Sequence, residues 1–177
     1  MLVTGYDLRE ALKRWSVRKD TASRQFNNTI FAFDDENKPS PTSVAQDFTK
    51  ADCAVALLQE AQQRYNLAVQ ITVKGQSMSL AMAVKSIGGA GRLEKMWRFA
   101  TTDTGRDRYS IRETTRRADD IVARRVISPE ECMEKADAAA RFASALRSAV
   151  ASANGNKLPI EQLSSVTNEL KTLIFED

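Results

Sequence analysis

In Thr42–Asn66, TSVAQDFTKADCAVALLQEAQQRYN, the residues Val44, Phe48, Ala51, Val55, Leu58, Gln62 and Tyr65 follow one another at alternating steps of four and three. That spacing keeps one stripe of a helix turned toward a partner helix, as in a coiled coil. Gln62 is the one polar member. The partner lies immediately upstream, in DLREALKRWSVRKDTASRQFNNTIFAF, residues 7–33. Here Leu8, Leu12, Trp15, Ala22 and Phe26 share a face, and Asp7 with Glu10 has the spacing of a capping box. DDENKPSP, residues 34–41, ends the pattern, because acidic residues, Asn and two prolines do not continue a helix. A short connection between two amphipathic helices makes them antiparallel neighbours, so residues 7–66 read as a helical hairpin.

Downstream, Val69, Ile71 and Val73 alternate with Gln70, Thr72 and Lys74 until Gly75, which predicts a strand at about 69–73. Ser77 is in position to cap a third helix running through QSMSLAMAVKSIGGAGRLEKMWRFA, residues 76–100. TTDTGRDRYSIRETTRRAD, residues 101–119, is polar and irregular. DIVARRVI is rich in β-branched residues and predicts a second strand at about 120–127. Ser128, Pro129 and Glu131 form a strong helix start. The alanine-rich helix that follows carries another four-three seam, Cys132, Ala136, Ala139, Ala143, Leu146, Val150 and Ala153, closed by Asn154 and Gly155. Ile160, Leu163, Val166, Leu170 and Leu173 mark a final helix within an added C-terminal element, residues 157–177. The expected fold is mainly α: one domain over 1–177, built from antiparallel helical hairpins with coiled-coil-like seams and two short strands. The two seams exceed what one small bundle must bury, so a homo-oligomer using one of them is expected.

Composition limits the chemistry. The chain has no histidine, so a Ser-His-Asp triad, a Cys-His pair and a His-ligated metal are excluded within one chain. Cys53 and Cys132 have no zinc or thioredoxin spacing. Asp34–Asp35 and Asp119–Asp120 sit in a proline-flanked loop and a mixed-charge run, with nothing to tune them as acid and base. A non-enzyme without a cofactor is the expectation. No apolar run approaches the roughly 18–20 residues of a membrane span, and no signal peptide opens the chain, so a cytoplasmic protein is expected. A net charge of +3 is too small to imply nucleic-acid binding, but it permits an anionic partner.

Three groups are candidates for such a partner. Gly88, Gly89 and Gly91 cluster in KSIGGAGRLEKMWR, residues 85–98. Their spacing is neither that of a P-loop nor that of a dinucleotide-binding loop, and they follow a helical stretch rather than a strand. They read as a bare patch that a backbone or ligand approaches closely, or as a break or close helix crossing. Arg92 and Trp97 follow, a cation and an aromatic face of the kind that holds phosphate and base, although Trp97 at helical spacing also suits a core stripe. Arg108, Arg112 and Arg116 would share a helical face near Arg124 and Arg125, and converging guanidiniums bind phosphate oxygens in pairs. The plain alternative is a solvated surface laced with i,i+4 ion pairs. Together these residues suggest a ligand-binding pocket for a small anionic, nucleotide-type ligand. The expected function is an oligomeric sponge that sequesters such a ligand, as a phage anti-defence protein would sequester an immune signal.

The order of elements also resembles the septicolysin-like family of small helical bacterial proteins, which carry a cytolysin name. The resemblance runs over about residues 7–154. It rests on Leu8, Glu10, Ala11 and Leu12, then Asn66, then Gly75, Ser77, Met78 and Ala81. Asp120, Ile121, Ser128, Asp137, Ala140, Leu146 and Asn154 complete it. It implies an oligomeric helical fold and, as the alternative function, a structural or pore-forming, membrane-acting assembly. The chain departs from the family at the glycine cluster, where an Arg-Asp pair is expected.

Overall fold

The structure, a computed structural model, describes residues 1–31, 37–102 and 125–175. The order of elements is β1 (Leu2–Val3), α1 (Gly5–Thr29), α2 (Pro41–Ala68), β2 (Gln70–Val73), β3 (Gln76–Ser79), α3 (Leu80–Thr102), α4 (Pro129–Ala153), β4 (Leu158–Pro159), a 3-10 turn (Ile160–Gln162) and α5 (Thr167–Phe175). These fall into two compact units, Met1–Ala81 with Val150–Asp177, and Met82–Ala149. Among the described residues no helix is long and apolar enough to cross a membrane.

The predicted hairpin is the frame of the first unit. Gly5 lies against Tyr65 and Lys19 pairs with Asp52 at 3.2 Å, so residue numbers rise on one helix as they fall on the other. Leu8, Ala11, Trp15 and Ala22 of α1 are buried, as are Val44, Ala51, Val55, Leu58 and Tyr65 of α2. Gln62, the polar member of the seam, directs its amide to Asn66 Oδ1 at 3.1 Å, so a half-buried donor is not left unpaired. Phe26 and Phe48 remain partly exposed.

The start of α1 differs from expectation. Thr4, not Asp7, is the cap: its hydroxyl accepts the Asp7 N–H at 3.2 Å, and the Asp7 carboxylate accepts the Thr4 N–H at 2.9 Å. The box is Thr4–Asp7, and the helix begins at Gly5. The strand at 69–73 is present as β2, but Ser77 caps nothing. Lys74 (φ 51°) and Gly75 (φ 78°) are both left-handed, which makes a two-residue turn and folds 76–79 back on 70–73 as β3. This delays α3 to Leu80. The strand expected at 120–127 is not formed at Arg125–Ile127, and residues 120–124 lie outside the described ones. A second sheet, β1 with β4, pairs Val3 with Leu158 and Leu2 with Pro159. The last helix starts later than expected. Ser164 Oγ accepts the Val166 N–H at 3.1 Å, and this local turn separates Ile160 from α5.

α4 begins as expected, with Ser128 Oγ accepting the Glu131 N–H at 3.0 Å. The Glu131 carboxylate pairs with Lys135 at 3.3 Å instead of closing the box. In the seam Cys132, Ala136, Ala139, Ala143, Leu146 and Ala153 are buried, and Val150 is half-buried. A single chain thus buries most of both seams, so neither is open as a whole to a second copy.

The first unit is tied at Tyr65. Its ring is fully buried, and its hydroxyl lies 2.9 Å from the Ala153 carbonyl and 2.8 Å from that of Asn156, at the end of α4. The Tyr6 hydroxyl, in the first turn of α1, donates to the Ala151 carbonyl at 2.7 Å. Two phenols, one on α2 and one on α1, therefore hold the end of α4, whose carbonyls lack helical donors. Gly5 is required by space: a Cβ there would lie 2.7 Å from Asn154 Oδ1 and 2.8 Å from Tyr65 Cε1. At the other side of α1, the Trp15 indole and the Arg14 guanidinium donate to the Leu173 and Ile174 carbonyls at 3.1 and 2.7 Å. These are carbonyls at the end of α5 that lack helical donors.

Burial raises the Tyr65 phenol above its usual value of about 10. The protonated form is the one folding favours. Stability from this group is complete below the ordinary phenol range and is lost as pH rises through the raised value. Tyr65→Phe should cost about 1–3 kcal/mol at neutral pH, because buried backbone groups lose their partner. Denaturant melts at increasing pH should show a shallower alkaline decline for the variant than for the parent. Gly5→Ala should cost a similar amount, about 1–3 kcal/mol, through overpacking.

Candidate functional site

The glycine cluster lies in the middle of α3, so it is neither a loop nor a break. It is also not a close crossing within the described chain. A Cβ on Gly89 or Gly91 would meet nothing within 4 Å, and one on Gly88 would meet only the Arg92 guanidinium at 3.5 Å. Each glycine costs a helix interior about 1 kcal/mol against alanine. Nothing described in the chain offsets that cost.

The surroundings follow from helical geometry at 100° per residue. Ala83 and Ala90 are buried on one side of α3, with Ile87, Glu94 and Trp97 half-buried near them. On the other side, Leu93, Met96 and Phe99 are 44%, 56% and 62% exposed. Met82, which is 59% exposed, Gly89 and Met96 fall on one row at steps of seven. Lys85, Arg92 and Phe99 fall on the adjacent row. All three basic residues of this side, Lys85, Arg92 and Lys95, are exposed, and none makes an ion pair among the described residues. The outcome is an open apolar strip with a bare backbone between Met82 and Met96 and a row of basic residues running between Met96 and Phe99.

The expected pocket residues separate on this frame. Gly88, Gly89 and Arg92 come together. Gly91 lies two residues, or about 200°, from Gly89 around the helix. Trp97 lies about 140° from Arg92 and is half-buried, with the Lys135 ammonium 5.6 Å from its ring centroid. Trp97 and Arg92 therefore do not face one ligand from this helix.

Arg125 does not sit in a strand facing an anion. Its guanidinium donates to the Ile127 carbonyl at 2.6 Å and to the Ala100 carbonyl, and it lies 3.6 Å from Cys132 Sγ. It closes the last turn of α3, where carbonyls lack donors. Arg108, Arg112, Arg116 and Arg124 lie outside the described residues.

Two ionic features flank the face without belonging to it. Arg98 bridges Glu94 at 3.0 Å and Asp137 at 3.3 Å, and the Glu94 hydrogen bond is the main reason its pKa is raised. The Glu130 carboxyl is held below its usual range, first by its own backbone N–H, then by the Ser128 hydroxyl and the charge of Arg125. This is the ordinary behaviour of an acid in a first helical turn. Among the described residues no three metal-ligating side chains gather. A shallow groove of about 360 Å³ lies along α1 and α2, where the Arg18 guanidinium sits 4.8 Å from the Trp15 ring beside Thr21, Gln25, Asp47 and Lys50.

Leu93 and Met96 share helical spacing with Trp97 and so suit the same core stripe, yet only Trp97 turns inward, and Leu93 and Met96 stand exposed with Phe99. The available signal was the seven-residue spacing of Lys85 and Arg92, since two cations on one row keep that row in solvent.

Gly89→Ala should raise stability by about 1 kcal/mol, because the methyl group enters open space. Thermal melts check this, and the opposite sign to Gly5→Ala is the diagnostic feature.

Compared with protein-family models, with characterised proteins and with solved structures, the chain finds no match.

Proposed function

We propose that this chain is a non-enzymatic binding protein that works by docking another macromolecule on the exposed face of α3. One observation carries the reading: Leu93, Met96 and Phe99 stand in solvent beside helical glycines whose cost nothing described in the chain offsets. A cluster of large apolar side chains left open on one helix is the mark of an interaction surface. A glycine pair at its middle lets a second backbone come near.

A small-molecule sponge, the expectation from sequence, is the second reading. It is favoured by Lys85 and Arg92, which carry charge without an ion pair on the same row as Phe99. It ranks second because one helix face is convex, whereas small ligands are held in concave sites that bury most of their surface.

A photo-reactive residue at Met96, with the same residue at exposed Arg9 on α1 as control, separates these readings in cells that make the protein. The docking reading expects one discrete high-mass adduct at Met96 and none at Arg9. Equal labelling at both positions overturns it. Calorimetry against cyclic and linear nucleotides tests the sponge, which expects binding that Lys85→Ala with Arg92→Ala weakens at least about tenfold.

A further inference from the structure

We infer that the partner α3 receives is an acidic amphipathic helix of another protein, crossing at Gly88–Gly89 with its carboxylates on Lys85, Arg92 and Lys95. This rests on the docking reading above and names the chemistry of what docks.

Charge is the first argument. α3 holds four basic side chains and one acid, so this helix alone has a charge equal to the +3 of the whole chain. Glu94, the one acid, is half-buried and committed to Arg98. The charge on the exposed side is therefore purely cationic, interleaved with the apolar residues. A helix with an apolar stripe and carboxylates beside it is complementary on both counts.

The same charges argue against a second copy. An isologous pairing of α3 with its twin sets Lys85 and Arg92 of one chain beside those of the other, and like charges across an interface are costly.

The bare backbone separates a helix from a lipid surface. A helix lying in a membrane interface gains from apolar bulk along its face, and a gap at the centre of that face forfeits area. A crossing helix gains from the gap, since small residues let two backbones approach and pack. Nucleic acid is a poor fit too, because Leu93 and Met96 would meet phosphates. A contact of one helix on another is small by the standards of stable complexes, so micromolar binding is expected.

The probes are two synthetic peptides of about three heptads with an identical leucine stripe, one flanked by Glu and one by Lys. The full-length protein is titrated by calorimetry and by amide-resolved NMR, with phosphatidylglycerol vesicles as a third titrant. The inference expects the Glu peptide alone to bind, to shift the amides of Gly88 and Gly89, and to weaken about tenfold on raising salt. Lys85→Glu with Arg92→Glu should invert the preference toward the Lys peptide. Gly89→Leu should abolish binding while leaving the melting temperature no lower.

Equal binding of both peptides, binding indifferent to Gly89→Leu, or binding of vesicles in place of peptide each overturns the inference. A Met96 adduct together with an inert Glu peptide overturns the acidic helix and leaves the docking reading standing. Absence of both removes the two together.

Discussion

The buried Tyr65 joins the head of α1 to the foot of α4. Its hydroxyl lies within hydrogen-bond distance of the Ala153 and Asn156 carbonyls, and its ring lies against Gly5. Helix ends carry backbone groups that cannot be satisfied within the helix, and burial without partners is costly. A phenol is suited to this position because its hydroxyl donates to backbone carbonyls while its ring fills the surrounding core. The glycine at position 5 follows directly, since any side chain there would occupy the space of Tyr65 and Asn154. The short β1–β4 pairing then runs beside this knot, with Ile160 N–H donating to the Met1 carbonyl at 3.0 Å.

Against that crowded glycine stands the open cluster of α3. Gly5 is demanded by atoms already in the fold, whereas Gly89 and Gly91 have no atom near the missing methyl group. The same residue type thus has opposite meanings at two places. At one it relieves a clash. At the other it weakens a helix without local return, beside Leu93, Met96 and Phe99 in solvent. A concession of this kind is what the docking proposal accounts for, because stability forgone by the chain is recovered only when something approaches its backbone.

Ion pairing sorts the basic residues in a similar way. Arg98 is tied to Glu94 and Asp137, and Arg125 is spent on carbonyls at the end of α3. Lys85, Arg92 and Lys95 make no ion pair among the described residues. Counting arginines in the sequence does not make this distinction, since a guanidinium that caps a helix and one that waits for a partner look identical there.

Sequence periodicity by itself determined the helical hairpin and both seams, because burying a stripe at alternating steps of three and four leaves a pattern that survives any detail of packing. It also determined the Ser128 cap and the non-helical stretch at residues 37–40 before α2, which are set by residues adjacent in the chain. Tertiary structure alone decided the left-handed turn at Lys74–Gly75 and the β1–β4 pair. Two-residue strands have no period, and Lys74 takes a backbone conformation that its own preference disfavours. It alone decided, too, which glycines are crowded and which are open. A missing side chain records nothing of its surroundings, so whether Gly89 faces a neighbour or solvent is settled only by where the rest of the chain goes.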